Sequence, residues 1–397
     1  MLSQGVIVPA QSPWAANIVL VKKKDSDYCC CIDYRGLNDV TRKDAYALPR
    51  TDMCLDALTG SVWFTTFDMR SSYHQVELEA ADADKTAFIC REGMYKFVTT
   101  PFGLCNAGAT FQRVIDMVLA GLSFDICLAY IDDVIIFSRT IDDHFVRLRS
   151  VLERLRGAGL KLKPSKCFLM QKSVAFLGHV VSAEGVAAQP EKTKMVAEWP
   201  EPTSVKDVRA WLGLTGYYRR YVKDYERIAA PLTSVLKHGI KFEWTDEMQK
   251  SFDELKTALT SPPILAMPTL GDVFTLDTDA SDEAIGGVLS QAQGGSERVI
   301  AYGSRKLSRT EKNYSVTRRE LLAIIYFLKY FRHYLLNTRF RIRTDHAALL
   351  WLRRIPEPVG QQARWLELME EYTFFVEHRP GKAHSNADAL SRIPARI

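Results

Sequence analysis

Two acids, Asp132 and Asp133, stand side by side in ICLAYIDDVIIFSRT (residues 126–140), between two apolar runs. Read as antiparallel strands, DICLAY and VIIFS place Ile131, Asp132 and Asp133 at the turn between them, which lifts both carboxylates out of the core. Asp is an ordinary turn former, so the pair alone says little about chemistry. Asp68 shifts the balance. It ends another strand-like run, VWFTTFD, and if these strands pack side by side three carboxylates converge. Clustered like charges repel and raise one another's pKa unless cations neutralise them. The usual resolution is a pair of divalent cations roughly 3.5–4 Å apart, activating a 3′-hydroxyl and stabilising a leaving pyrophosphate. Oxygen-only ligands point to Mg2+ rather than zinc.

A second set of acids lies near the other end. In FTLDTDAS, strand periodicity puts Asp277 and Asp279 on the face opposite Phe274 and Leu276, and in FRIRTDH it puts Asp345 opposite Phe340 and Ile342. Glu320 opens a long apolar helix, where Thr317-Arg-Arg-Glu320 also fits a capping box with Thr317 as N-cap. Asp388 in SNADALSR suits a helix start equally well. Taken singly, each has a plain structural role.

These acids need elements to hold them. WAANIVLVKKK and CCCIDYRGL read as strands joined by a polar DSD turn. NAGATFQRVIDMVLAGL has helical spacing at Phe111, Ile115, Val118, Leu119 and Leu122, and DHFVRLRSVLERLRGAGL is a second amphipathic helix stopped by its glycines. Pro190, Pro200 and Pro202 break the next segment, and residues 190–260 are mostly helical with polar faces. The Pro-rich SPPILAMPTLGD (261–272) is the clearest domain boundary. Beyond it, strands VFTLDTD and RVIAYGS, helix RRELLAIIYFLKYFRHYL, strand RFRIRTD, further helices and FFVEHRPG make a new α/β unit.

FDMRSSYHQV, TPFGLCNAGATFQR, YIDDVIIFS and FLGHVVSAEG stand in the order and approximate spacing of retroelement reverse transcriptases, and SPWAANIVLVKKKD, DYRGLN and YALPR resemble gypsy-class LTR retrotransposons in particular. TDASDEAIGGVLSQ, TDHAALLWL and HRPGKAHSNADALSR resemble the RNase H of the same class. The resemblance spans residues 5 to 393. It implies a multi-domain α/β protein: a right-hand polymerase with fingers, palm and helical thumb, followed by an RNase H-like α/β domain. The division it implies is 1–185 for fingers and palm, 186–260 for the thumb, 261–271 for a linker and 272–393 for RNase H. It further implies part of a Pol polyprotein, whose relatives carry more fingers sequence and a protease upstream and an integrase downstream.

By that resemblance Asp68 and Asp132 are the principal metal ligands and Asp133 completes the triad. Tyr73 matches the aromatic gate under the incoming sugar, and the backbone at Ser71 and Ser72 approaches the triphosphate. Phe102 of PFG packs over the incoming nucleotide, Gln112 supports the template side, and Lys23 in KKKD binds the triphosphate. Without the resemblance Tyr73 and Phe102 read as core aromatics and KKK as a solvated strand edge. Asp279, Glu320, Asp345 and Asp388 take the RNase H ligand positions, Asp277 falls outside that set, and His378 matches a mobile histidine near product release. Arg219, Arg220 and Lys223 either face phosphates, with Tyr217, Tyr218 and Tyr221 against sugars, or belong to an amphipathic helix with its charges in water.

Two positions depart from the family pattern. Cys29 stands where an Arg commonly contacts the triphosphate, and a thiol has none of the guanidinium's five donors. Gly108 stands where Pro is usual, which loosens the backbone. The implied function is an RNA-directed DNA polymerase with linked RNase H, using two Mg2+ per site with Mn2+ as a substitute. Its partners are an RNA template, a DNA primer, dNTPs and an RNA–DNA hybrid, and a homodimer is compatible with it. The alternative is a degenerate primer–template-binding protein with little polymerase activity, in which only RNase H acts.

Composition agrees. The 397 residues are 47% hydrophobic and 25% charged, which excludes a disordered chain and suggests two or three domains. A net charge of +5 is compatible with a polyanionic partner but does not identify one. No apolar run reaches the ~18 residues of a membrane span. The eight cysteines form no C-x-x-C pair, which suits reduced thiols in an intracellular protein. The expected location is intracellular, in cytoplasmic particles with nuclear entry.

Overall fold

Val134, Ile135, Ile136 and Phe137 are consecutive, apolar and all buried, the pattern of a strand covered on both faces. They form the centre of the first of two units, Met1–Leu177 and Gly178–Ile397, seen in a computed structural model. The structure describes residues 1–22, 28–237, 239–261, 263–269, 271–344 and 360–378. In chain order the first unit contains β1 (Ile7–Pro9), β2 (Ile18–Lys22), β3 (Tyr28–Ile32), α1 (Arg35–Val40), α2 (Thr51–Asp56), β4 (Trp63–Asp68) and α3 (Ala80–Ala83). It continues with β5 (Phe88–Cys90), β6 (Gly93–Phe97), α4 (Ala107–Val118), β7 (Cys127–Tyr130), β8 (Asp133–Ser138), α5 (Ile141–Gly157), β9 (Phe168–Gln171) and β10 (Ser173–Phe176).

The strands β7, β8, β4 and β9 lie in that order as one antiparallel sheet. Phe111, Ile115 and Leu119 of α4 and its C-terminus, and Val151 and Leu155 of α5, share a core with Val134 and Ile136. The helical spacing seen in the sequence is therefore the buried stripe. Thr140 caps α5 by accepting from the Asp143 amide, and Gly159 (φ +70°) follows its end. Inside α5, His144 is fully buried: Nε2 lies 2.8 Å from Thr65 Oγ1 of β4, and Nδ1 lies 3.0 Å from Ser138 Oγ of β8. A smaller sheet, β1–β6–β5, packs Ile7, Phe88 and Phe97 with Ile32 and Tyr34, next to the β2–β3 hairpin.

The second unit begins with the hairpin β11 (His179–Ser182) and β12 (Gly185–Ala188). Helices α6 (Pro190–Ala197), α7 (Val205–Tyr217), α8 (Tyr225–Ser234) and α9 (Asp246–Thr260) then gather around Trp211, Phe252 and Leu255. After them come β13 (Phe274–Ala280), β14 (Ala284–Gln293), β15 (Ser296–Lys306), α10 (Arg309–Lys312), α11 (Val316–Tyr330), α12 (Arg332–Leu335), β16 (Arg339–Thr344), α13 (Gln361–Glu370) and β17 (Thr373–His378). Their five strands run β15-β14-β13-β16-β17, with β13–β16 and β16–β17 parallel. Leu265, beyond α9, is tied down: Val186 and Leu265 exchange backbone hydrogen bonds of 2.8 and 2.9 Å, and Leu265 is fully buried.

β14 is absent from the sequence reading. Its Gly286-Gly287 pair lowers strand propensity, yet the fold needs that pair. A Cβ on Gly287 would lie 2.7 Å from the Phe327 ring of α11. On the other face of the sheet, Val288, Val299 and Tyr302 join the core of the α6–α9 helices.

Candidate active sites

The first three carboxylates do converge. β4 and β8 pair antiparallel with Asp68 opposite Asp133, and the Met69 amide donates to the Asp132 carbonyl at 3.1 Å. Tyr130 pairs with Asp133, which leaves Ile131 and Asp132 as a two-residue hairpin loop. Burial is the main cause that raises the Asp132 pKa, with the Ser72 hydroxyl opposing and the Asp68 charge reinforcing it. Asp133 is open along one edge, but the protein around the rest of its carboxyl, and then Asp68 and Asp132, raise its pKa too. Oδ1 of Asp132 and Oγ of Ser72 are buried, and neither makes a hydrogen bond of normal geometry.

A residue that sequence reasoning missed supplies the counter-charge. Lys166, in the turn before β9, places Nζ 3.0 Å from Asp68 Oδ2, and that bond holds the Lys166 pKa above its ordinary value. The two are 98 positions apart, so spacing along the chain could not reveal the pair. Among the described residues no three His, Cys, Asp or Glu side chains are close enough to enclose a metal ion as they stand. The donor set nevertheless fits divalent cations: three carboxylates, two of them with raised pKa values, and one buried carboxylate oxygen that makes no hydrogen bond of normal geometry.

Tyr73 follows Asp68 on a short helical turn, with its ring 5.0 Å from that of Phe102 and 6.2 Å, edge-on, from that of Phe111. Phe102 is 46% exposed, so one side of the aromatic pair faces solvent rather than core. Ser71 has left-handed backbone (φ +48°) and Ser72 is buried beneath it. Gln112 is fully buried, and its amide is spent within the fold: Oε1 accepts from the Ile131 amide at 2.7 Å, while Nε2 donates to the Ala129 carbonyl at 3.1 Å and Asp116 Oδ1 at 2.9 Å. Lys23 lies outside the described residues. Cys29 is placed by its backbone alone, opposite Val21 in the β2–β3 hairpin. A Cβ added to Gly108 would meet only ordinary contacts, Tyr73 Oη at 3.8 Å and Ile131 Cδ1 at 4.0 Å, so no cavity or clash marks this departure.

Ile131 has φ +51°, with Asp132 on the ordinary side of the map. A two-residue hairpin with positive φ at its first central position normally carries Gly there, and a β-branched residue in that conformation is strained by about 1–3 kcal/mol. The strain sits next to Asp132.

In the second unit, Asp279 is the next-to-last residue of β13, opposite Gly286, and accepts from the Ala280 amide at 3.0 Å. Glu320 lies in α11 and is 4% exposed. The capping box expected from Thr317 is not formed: α11 starts at Val316, and Ser315 is its N-cap, accepting from the Arg318 amide at 3.4 Å. Glu320 therefore falls inside the helix rather than at its capping position. Arg319 beside it reaches the turn after Asp279, bonding Asp282 and the Ser281 carbonyl, which ties the start of α11 to the end of β13. Asp345, one residue past β16, and Asp388 lie outside the described residues. The backbone of His378 pairs with Thr344 at the end of β17.

Asp277 is committed elsewhere. Arg343, its register partner on β16, donates Nε to Asp277 Oδ1 at 2.8 Å and Nη1 to Glu297 Oε2 at 3.0 Å. Burial works against the Arg343 charge, but these two acids outweigh it and hold its pKa above the ordinary value. Asp224 was missed. It precedes α8 with left-handed backbone (φ +55°), and a Cβ on Gly286 would come within 2.5 Å of its Oδ1. Asp224, Arg227, Asp279 and Ser304 line one small pocket, and burial, with Asp279 contributing, raises the Asp224 pKa.

Of the helical charges, Arg219 and Lys223 are exposed, and Arg220 is half-buried with Nη2 3.4 Å from the Ile300 carbonyl. Tyr218 and Tyr221 are buried around His179, whose Nδ1 lies 2.8 Å from Tyr221 Oη, so both are core rather than surface for sugars. Tyr217 is 48% exposed.

Known proteins share the domains that carry these residues. Residues 21–181 match the family described as reverse transcriptase (RNA-dependent DNA polymerase), and residues 244–342 match the RNase H-like domain found in reverse transcriptase. The chain is 41% identical over 400 residues to the retrovirus-related Pol polyprotein from transposon 297 of Drosophila melanogaster, across 99% of this chain and 37% of that protein. The Pol polyprotein from transposon opus of the same fly is 39% identical, across 100% of this chain and 41% of its own length. The Tf2-3 transposon polyprotein of Schizosaccharomyces pombe is 34% identical, across 99% and 30%. The chain thus spans well under half of these relatives. Among solved structures, the foamy viral protease-reverse transcriptase dRH in complex with double-stranded DNA aligns with a TM-score of 0.84 at 21% identity, over 95% of this chain and 68% of that one. The foamy viral protease-reverse transcriptase in complex with RNA/DNA hybrid aligns with a TM-score of 0.78 at 20% identity, over 100% and 54%. At such identities these likenesses establish the fold: a reverse-transcriptase polymerase fold with an RNase H-like domain.

Proposed function

We propose, from the premise that this chain belongs to the reverse transcriptase and RNase H family of gypsy-type LTR-retrotransposon Pol polyproteins, that it is an RNA-directed DNA polymerase linked to a ribonuclease H. It copies an RNA template from a DNA primer with dNTPs and hydrolyses the RNA of the resulting hybrid. The pairing of Asp68 with Asp133, with Asp132 in the adjoining loop, is the observation that supports this reading most.

Divalent-metal dependence goes with the family. We read the ions as Mg2+, two per site, with Mn2+ as a substitute, because every donor is a carboxylate oxygen. When bound, the ions polarise the attacking 3′-hydroxyl and neutralise the leaving pyrophosphate. Asp68 and Asp132 are their principal holders and Asp133 the third. Tyr73, backed by Phe102 and Phe111, offers a flat wall for the incoming sugar, and the left-handed turn at Ser71 brings backbone amides toward the triphosphate. Lys166 keeps a positive charge at the rim of the triad. Lys23 is read as a further triphosphate contact. In the second unit Asp279 and Glu320, with Asp345 and Asp388, would hold the ions for RNA hydrolysis. The division into fingers and palm (1–185), thumb (186–260), linker (261–271) and RNase H (272–393) belongs to the same reading, with exposed Arg219 and Lys223 placed to meet phosphates. So does a location in cytoplasmic particles with nuclear entry. No helix among the described residues is long and apolar enough to cross a membrane.

The competing reading is a degenerate element that binds primer–template without polymerising, and Cys29 motivates it. Extension of a DNA primer on an RNA template with dNTPs and Mg2+ separates the two, with Asp132→Asn as the control. No extension above that control would sink the polymerase reading. If Cys29 is a defect, Cys29→Arg lowers the apparent KM for dNTP.

A further inference from the structure

The loop carrying Asp132 has a shape its sequence does not favour, and something must hold it. Ile131 takes φ +51° in a two-residue hairpin, where Gly is the usual occupant. Gln112, fully buried in the middle of α4, bonds both limbs of that hairpin: its Oε1 takes the Ile131 amide at 2.7 Å, and its Nε2 gives to the Ala129 carbonyl at 3.1 Å. Nε2 also donates to Asp116 Oδ1 at 2.9 Å, one turn further along α4. The Tyr46 hydroxyl donates to the other oxygen, Asp116 Oδ2, at 2.6 Å. The chain of bonds therefore runs from Tyr46, half-buried in YALPR, through Asp116 and Gln112 to the backbone next to Asp132.

The segment around Tyr46 is itself held against α4. The Arg113 guanidinium lies over the Tyr46 ring, 4.9 Å from its centroid, and pairs with Asp44, whose amide donates to Asn106 Oδ1 at 3.0 Å. The relay permits one orientation of the Gln112 amide. Its acceptor must face Ile131 N–H, and its two donors must face a carbonyl and a carboxylate. A Glu in its place would turn a second acceptor toward both.

We propose that Gln112 is a positioning residue for the polymerase carboxylates: it holds the strained loop that aims Asp132, and Asp116 and Tyr46 fix its orientation. This rests on the polymerase reading of that site. It assigns Gln112 to the catalytic loop, where the family resemblance suggests the template side.

The test uses the full chain with Gln112→Met, which keeps side-chain length and removes every bond. Primer extension should fall between about 10- and 100-fold in kcat. The KM for template–primer should move less than threefold, the Mg2+ midpoint should rise, and RNase H cleavage by the same preparation should persist. Tyr46→Phe should show the same pattern at a few-fold. Adding Ile131→Gly, which adopts positive φ freely, should restore part of the extension lost in Gln112→Met. Hydrogen exchange gives a readout independent of polymerase activity. The Ile131 amide should lose protection at least tenfold in Gln112→Met, while β4 amides keep theirs. Unchanged protection at Ile131 overturns the proposal even if the chain never extends a primer. A loss confined to the KM for template–primer, with no rescue by Ile131→Gly, overturns it in favour of a template contact. If wild-type extension equals that of Asp132→Asn, the polymerase reading fails, and exchange alone decides whether Gln112 holds the loop.

Discussion

The two carboxylate sets are assembled in different ways. In the first unit, one strand pairing and one hairpin bring Asp68, Asp132 and Asp133 together, so local register does nearly all the positioning. In the second unit, Asp279 comes from a strand and Glu320 from a helix 41 positions later, joined through Arg319 and the turn after β13. The neighbouring charges differ as well. The first set has a lysine at its rim, 57% exposed, which a competing cation can displace. Beside the second, Asp277 is locked to an arginine only 10% exposed. A set built on register concentrates repulsion and needs a labile counter-charge. A set drawn from distant elements relies instead on the contacts that join those elements.

The largest expected effect separates the two sites. Asp132→Asn should reduce primer extension by roughly a thousandfold or more and leave hybrid cleavage intact, and Glu320→Gln should do the reverse. Loss of both activities in either variant would show that the sites are not independent.

Next in size is the locked pair. Arg343→Met leaves Asp277 and Glu297 facing each other without their cation, at a cost of about 3–5 kcal/mol. Urea unfolding should show that loss in the transition reported by the tryptophans of the second unit. Asp277→Asn in the same background should recover part of it.

A third prediction concerns pH. His179, 2% exposed, has its pKa lowered to about 3, first by burial and then by Arg220. Only the unfolded chain takes up that proton near pH 6.5, so stability is full above 6.5 and lost as pH falls toward 3. The loss should reach about 2 kcal/mol at pH 5. His179→Gln, which can still bond Tyr221, should flatten that part of the stability–pH curve. His144 in the first unit, also held below its ordinary value by burial, should act with the same sign.

The smallest effect runs the other way. The pKa of Asp132 is raised, so its charge costs stability once pH climbs past the ordinary carboxylate range. At neutral pH Asp132→Asn should stabilise the metal-free chain, seen as a higher Tm than that of the unsubstituted protein. The activity and stability effects of this one substitution should therefore have opposite signs.

Much of the first site was legible because its signals are local. Apolar runs flank Asp132, Asp68 closes a β-rich run, and the α4 stripe at Phe111, Ile115 and Leu119 is buried as its spacing suggests. What escaped reading depends on distance or on backbone. Lys166 meets Asp68 only through the fold. Gln112 was picked out by the family resemblance for the template side, and its bonds to the hairpin exist only once the hairpin folds against it. β14 was hidden because its glycines are poor strand formers, chosen for what they let approach. The start of α11 was misplaced by two residues because Ser315 and Thr317 are both good caps, and only the backbone decides between them. Lys23, Asp345 and Asp388 fall outside the described residues.

The backbone bridge between Val186 and Leu265 closes the helical stretch into a loop fastened at its neck. A cut inside that loop would leave its two ends still bonded to each other. A polypeptide beginning at 272 would carry the sheet away with Val288, Val299 and Tyr302 bared to water. The RNase H-like part is therefore one side of a shared interior and should resist being detached as a free-standing cassette.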